Sequence, residues 1–187
     1  MAISLRLPAQ LTDEDIRDLS TRNPGLEIEQ APSGELILTP TGAEAGRRIA
    51  LGAQLYNWAI AQGMGLPFGP SMGFRLSDGS LQSPDASWVR RDRWAALTPA
   101  QREGFAPLCP DAVFEIRSRS DSLSDLREKM RVYLANAARL AVLIDPQRRA
   151  VEVYEPGREL QVREHAESLP LDPVLPGFTF DLRPIFE

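Results

Sequence analysis

Three residues far apart in the chain have the chemistry to act together. Glu115 stands in Ala112-Val113-Phe114-Glu115-Ile116-Arg117, a short apolar stretch of strand composition. Side chains alternate along a strand, so Val113, Glu115 and Arg117 share one face and Ala112, Phe114 and Ile116 the other. A carboxylate in such a strand is costly to bury unless it is paired or bound to a cation. Asp85 follows Pro84 at the opening of a second apolar segment, Asp85-Ala86-Ser87-Trp88-Val89. Lys129 is the single lysine among 21 basic residues. An arginine-biased composition can leave one lysine by chance. Alternatively, a compact ammonium is needed beside something anionic, where the planar guanidinium fork does not serve. Glu115 has the same two readings: it pairs with an arginine such as Arg119, or it belongs to a site that holds a cation.

The elements that must position these residues alternate between strand and helix. Thr12 with Asp13, Glu14 and Asp15 reads as a helix N-cap and acidic first turn, with the helix running to Arg22. Leu26–Glu29 and Glu35–Leu38 read as a hairpin turned at Ser33-Gly34. A long helix follows from about Ala43 to Gln62, closed by Gly63. A second hairpin turns at Asp78-Gly79 and continues into Asp85–Val89. Residues 92–107 form an excursion with a short helix around Pro99 to Glu103. The strand 112–116, a helix from Ser122 or Ser124 to about Ala137, and the strand 141–144 are spaced for a parallel crossover, which puts Lys129 on the crossover helix. Ala150–Tyr154 pairs back, residues 159–163 add an edge, and the tail LPGFTFDLRPIF covers the sheet. The fold class expected is α/β with a mixed sheet.

Composition bounds the function. A chain of 187 residues is expected to fold as one domain, with a helix and hairpin in 1–40 and the rest of the core with cover strands in 41–187. Hydrophobic content of 43% and charged content of 25% are ordinary for a soluble globular protein. No stretch approaches the ~18 apolar residues of a membrane span, and no signal peptide is expected from MAISLRLPAQLTDED. The lone Cys109 permits no intrachain disulfide, which fits a reducing cytoplasm; the only histidine, His165, lies too far along the chain to activate it. A net charge of −5 argues against a general nucleic-acid coat. It leaves room for an enzyme on nucleic acid, whose metal-binding carboxylates would add negative charge.

Pro84-Asp85 followed by Glu115-x-Arg117 resembles the PD-(D/E)xK nuclease superfamily, with arginine where the last lysine is expected. A second Pro-Asp-Ala occurs at Pro110-Asp111. Asp111 and Glu115 are four residues apart on one extended segment, about 13 Å at ~3.3 Å per residue. Carboxylates bind Mg²⁺ at about 2.0–2.1 Å, so those two cannot share an ion. Asp85, from another strand, approaches Glu115 from beside it and is the better ligand. Arg117 cannot accept a proton, because guanidinium stays charged. Helical spacing puts Leu123, Leu126, Met130, Tyr133, Leu134 and Ala137 on one side, with Lys129 at the edge of that stripe. In the superfamily the lysine sometimes migrates to such a helix.

Five segments in order narrow the resemblance: GELILTPTGAEAGRR, SPDASWV, FEIRSRSDS, EKMRVYLANAARLAVLIDPQRRAVEVYEPG and LPGFTFDL. Together they are similar to the bacterial Uma-type restriction endonuclease family, over nearly the whole chain. The resemblance implies a restriction endonuclease-like core with flanking helices, a divalent metal (Mg²⁺ or Mn²⁺), and cleavage of nucleic acid, DNA in the first instance, with a 5′-phosphate product. On that resemblance Asp85 and Glu115 are the metal carboxylates, the Ile116 carbonyl is a further oxygen ligand, and Lys129 is the relocated lysine. Glu44 matches the acid these nucleases often contribute from the long helix, although the helix dipole favours an acid there equally. Arg117, Arg119 and Arg131 either hold substrate phosphate or stand solvated. Glu27, Glu29 and Glu35 are expected as surface charges of the hairpin, and Asp121 and Asp125 as cap and first-turn residues.

Cutting both strands of a duplex needs two sites, so a homodimer or higher homo-oligomer is expected, with Phe178, Phe180 and Phe186 as apolar contacts. Two other functions compete: a catalytically silent nuclease fold that binds nucleic acid or protein, and a metal-dependent phosphohydrolase with a small substrate.

Overall fold

The computed structural model of the chain describes residues 3–7, 11–24, 26–40 and 45–187. Strand β1 (Ile3–Leu5) precedes helix α1 (Asp13–Arg22), whose first turn is closed by a capping box between Thr12 and Asp15. β2 (Leu26–Gln30) and β3 (Leu36–Pro40) pair from Leu26 opposite Pro40 to Gln30 opposite Leu36. The long helix α2 (Ala45–Gln62) ends at Gly63, whose φ of 66° is open to glycine. Four strands follow: β4 (Gly65–Phe68), β5 (Phe74–Arg75), β6 (Leu81–Gln82) and β7 (Ala86–Arg90). Helices α3 (Arg91–Ala95) and α4 (Pro99–Glu103) make the excursion before β8 (Ala112–Ile116) and α5 (Leu123–Ala135). β9 (Leu140–Asp145), β10 (Ala150–Tyr154), β11 (Gln161–Glu164), β12 (Ser168–Pro170), β13 (Thr179–Asp181) and α6 (Arg183–Phe186) complete the chain.

Among the described residues the strands form one sheet in the order β11-β10-β9-β8-β7-β4 and another in the order β1-β3-β2-β6-β5, with β12 and β13 paired apart. The β8-α5-β9 connection is a parallel crossover, in register from Ala112 opposite Leu140 to Ile116 opposite Ile144. The other pairings of that sheet are antiparallel, so the fold is α/β with a mixed sheet. None of the helices among the described residues is long and apolar enough to cross a membrane.

The two faces of the larger sheet bury different sets of side chains. Phe114, Ile116, Val142 and Ile144 pack with Leu51, Leu55 and Trp58 of α2 and with the C-terminal segment. Val113, Ala141 and Leu143 pack with Met130 and Tyr133 of α5. Phe178, Phe180 and Phe186 belong to the first set and are at most 7% exposed. They are core, not contacts for a second copy, because the β12–β13 pair folds the tail back onto the sheet.

The Asp78-Gly79 turn forms as expected, with Gly79 at φ 85°, but its second strand does not run on into Asp85. β6 pairs with β2 through Leu81 opposite Gln30, whereas β7 pairs with β8. The chain changes sheets at Ser83-Pro84-Asp85, where Pro84 has no N–H to continue a ladder. Asp85 therefore sits at the junction between the two sheets. β4, with Pro67 in it, is an edge strand, the place where a sheet tolerates proline.

A Cβ built on Gly65 falls inside the Trp88 indole and onto the Val89 carbonyl oxygen, whereas one on Gly52 in α2 meets open space. Gly65→Ala is expected to cost about 1–3 kcal/mol through overpacking. Gly52→Ala is expected to gain about 0.5–1 kcal/mol as a helix-interior replacement. Urea unfolding of both variants checks the contrast.

Candidate active site

β7 and β8 are antiparallel with Ala86 opposite Phe114. Continuing the register by one residue sets Asp85 beside Glu115, on the face away from Phe114. Both carboxylates are buried, 4% and 5% exposed. Asp85 Oδ2 accepts a hydrogen bond from the Ile116 amide at 2.7 Å, and Oδ1 lies 2.6 Å from Arg48 Nε on α2. Glu115 Oε1 accepts from the Tyr133 hydroxyl at 2.9 Å and lies 2.9 Å from Lys129 Nζ. No described residue donates a hydrogen bond to Glu115 Oε2.

Lys129 reaches this position because α5 starts at a Ser122 cap and buries Met130 and Tyr133 against the sheet. Its ammonium also donates to both oxygens of Glu29, at 2.9 and 3.0 Å. The place at the edge of the apolar stripe was legible in the spacing. Its depth was not: the side chain is only 16% exposed. Glu115 takes this lysine as its cationic partner, and Arg119 is exposed.

Glu27 and Glu29 correct the expectation of surface charges. Glu29 is 9% exposed, held by Lys129 and by the Ser83 amide at 2.7 Å. Glu27 accepts two hydrogen bonds from Arg48, at 2.6 and 3.3 Å. β2 is not a solvated hairpin arm but an interior strand of its sheet, between β3 and β6. Ile28 packs to the Ile16 and Leu81 side, so Glu27 and Glu29 turn the other way. Two glutamates sharing a strand face were visible in the sequence; their partners, 21 and 100 residues away, were not.

Burial dominates the electrostatics. It pushes Asp85 up to about 6, against Arg48 and the Ile116 N–H, which favour the ionised form. It pushes Glu115 up to about 8; Lys129 opposes that shift, while the charges of Asp85 and Glu29 add to it. Burial also works against the Lys129 ammonium, but Glu115 and Glu29 together hold its pKa above the ordinary lysine value. Burial and the neighbouring Glu115 raise the Tyr133 phenol, which keeps it a hydrogen-bond donor.

Asp85, Glu27 and Arg48 line a cleft of about 1000 Å³ between α1, β2, α2 and the loop at 69–73. Tyr56, Arg17, Arg102 and Phe105 also line it, with Arg17 stacked 5.6 Å over the Phe105 ring. The expected phosphate-binding arginines do not line this cleft. Arg117 pairs with Asp145 at 2.9 Å and Arg131 with Glu128 at 2.8 Å. Asp111 pairs with Arg93 at 2.9 Å and accepts the Arg90 amide, a structural role that leaves Asp85 as the acid beside Glu115. Asp121 accepts the Ser118 amide, and Asp125 opens α5. Burial pushes the Cys109 thiol up to about 12, which makes it a poor nucleophile. Glu44 lies outside the described residues.

The donor set fits a hard divalent cation. Mg²⁺ takes oxygen ligands, keeps several waters and needs only one or two protein carboxylates. Among the described residues no three His, Cys, Asp or Glu side chains form a cage. Asp85 and Glu115 supply the smaller set such an ion needs, with Glu115 Oε2 accepting no hydrogen bond from any described residue. Both ionised forms are disfavoured by burial, a penalty that a bound cation relieves. The Ile116 carbonyl lies one peptide beyond Glu115 on β8.

The family described as "Uma2: Putative restriction endonuclease" matches residues 13–183. The chain is similar in fold to the "crystal structure of a putative nuclease belonging to DUF820 from Anabaena variabilis ATCC 29413", with a TM-score of 0.75 and 20% identity over 94% of this chain and 97% of that one. It also aligns, with a TM-score of 0.43 and 18% identity, to a structure titled "cryoEM structure DrdV-DNA complex", over 65% of this chain and 10% of that one. No curated protein matches.

The raised carboxylate values set a pH dependence. In the folded state Asp85 and Glu115 bind protons more tightly than in the unfolded chain. Stability of the cation-free protein is therefore expected to fall as pH rises from about 4, the unfolded carboxylate range, through about 8. Glu115→Gln is expected to flatten that slope. Urea midpoints in a chelator across this range check it, and an unchanged slope in the variant would contradict the assignment.

Proposed function

The chain belongs to the Uma2 family, and on that premise we propose that it is a metal-dependent endonuclease hydrolysing phosphodiester bonds in DNA, with Mg²⁺ or Mn²⁺ as cofactor. The observation that carries this reading is the buried pair Asp85 and Glu115, with one ammonium bonded to Glu115 and a cleft opening on Asp85. Asp85, Glu115 and the Ile116 carbonyl would hold the cation. When bound, the cation would neutralise phosphate charge and make a water molecule a better nucleophile. Water attacks phosphorus in line, the bond to the 3′ oxygen breaks, and the products are a 5′-phosphate and a 3′-hydroxyl. Lys129, the nearest ammonium to Glu115, orients the attacking water or donates to a non-bridging phosphate oxygen as charge builds there. Glu29 fixes the ammonium from its other side, and Tyr133 fixes the carboxylate. Arg17 and Arg102 supply positive charge to the entering backbone, and the exposed Tyr56 supplies a face on which a base can stack. Pairing of two copies for the two strands of a duplex belongs to the same proposal.

One observation favours a catalytically silent nucleic-acid-binding module instead. Arg48 and Lys129 already sit against Asp85 and Glu115, so a fold without metal has its own counter-charges.

Cleavage of plasmid DNA with Mn²⁺ decides between them. Asp85→Asn, Glu115→Gln and Lys129→Ala are each expected to lower the rate by about 10²-fold or more. Lys129→Arg is also expected to be damaging, because a planar fork replaces a compact donor between two carboxylates. No cleavage by the wild type, or rates indifferent to chelator and to these substitutions in folded protein, would support the silent module.

A further inference from the structure

Arg48 is joined to the site in two unequal ways. To Glu27 it makes two hydrogen bonds, at 2.6 and 3.3 Å. To Asp85 it makes only a charge contact: Nε lies 2.6 Å from Oδ1, yet this buried nitrogen has no aligned hydrogen-bond acceptor. Glu27 therefore holds the guanidinium in place, and the attraction to Asp85 is close-range but undirected. Asp85 Oδ2 is already taken by the Ile116 amide, which leaves Oδ1 as the oxygen that Arg48 covers. The guanidinium also has somewhere to go. It lies on the cleft wall, and one helical turn further along α2 Gly52 lines the same cleft, with nothing beyond its own stretch of helix within 4 Å of where its Cβ would stand.

We propose that Arg48 is a built-in counter-cation that occupies the Asp85 side of the site, competes there with a divalent cation, and on displacement stays tethered by Glu27 on the cleft wall, where it meets a substrate phosphate. This rests on the metal-site reading above and adds a regulatory consequence to it. Metal and guanidinium compete for Oδ1, so whatever draws Arg48 away raises metal affinity. A phosphodiester is an anion of the right kind, since arginine forks match phosphate oxygens. Substrate and metal then assist each other's binding, and by linkage the assistance is reciprocal. In the absence of nucleic acid the site holds metal weakly.

Calorimetric titration of Mn²⁺ into wild type, Arg48→Gln, Arg48→Met and Asp85→Asn tests this without any activity measurement. The Arg48 variants, shown to be folded by cooperative unfolding, are expected to bind Mn²⁺ at least ~10-fold more tightly than wild type, because the positive charge that competes for Oδ1 is removed. Asp85→Asn is expected to abolish binding. Equal or weaker Mn²⁺ binding in the Arg48 variants, with Asp85→Asn still abolishing it, would overturn the competition and leave the metal site standing. Binding in none of the proteins, or binding indifferent to Asp85→Asn, would overturn the metal site and this inference with it. Should neither Arg48 variant fold, the Nε–Hε NMR resonance of Arg48 in wild type decides: it is expected to move as Mg²⁺ saturates the protein, and a resonance unmoved at saturation overturns the proposal.

Discussion

One ammonium between two carboxylates organises this molecule. Glu115 is placed by strand alternation on a face shared with Val113 and covered by Met130 and Tyr133, where an isolated charge would be strongly disfavoured. Lysine presents three donors on a compact head, enough to bond Glu115 and both oxygens of Glu29 together. These bonds join the crossover helix to the centre of one sheet and to an interior strand of the other. That contact ties the two sheets together at the point where Asp85 sits, beside the Arg48 link from Glu27 to Asp85. Arginine serves at every other basic position with a long, planar fork that suits surface pairs such as Arg131 with Glu128.

The same constraint shapes the chemistry. Glu27, Glu29, Asp85 and Glu115 form a row in which Arg48 and Lys129 are interleaved, so four carboxylates share two cations. When all are ionised the row retains surplus negative charge at the edge of a cleft. Such a row attracts a divalent cation and, once one is bound, tolerates a phosphodiester.

Much of this was legible in local patterns. The Thr12 cap, the Asp78-Gly79 turn, the 112–116 strand and the crossover geometry each rest on interactions within a few residues. The choice of Asp85 over Asp111 came from the reach of an extended chain; Asp111 itself pairs with Arg93. The rest depended on long-range pairing. Leu26-Glu27-Ile28-Glu29 alternates as a solvated hairpin would, and nothing nearby marks its glutamates as buried. Arg48 is one of many arginines, distinguished only by where α2 lies against β2 and Asp85. Phe178 and Phe180 carry no local sign of whether the tail folds inward or offers itself to a partner.

The claim on which the functional reading stands is that Asp85 and Glu115 together hold a divalent cation. Crystals of the wild-type chain grown with Mn²⁺ and measured at a wavelength where manganese scatters anomalously test it directly. The predicted result is a single strong anomalous peak within about 2.0–2.3 Å of oxygens from both carboxylates. A map with no peak at this pair at saturating Mn²⁺, or with peaks only on exposed acids elsewhere, would contradict it.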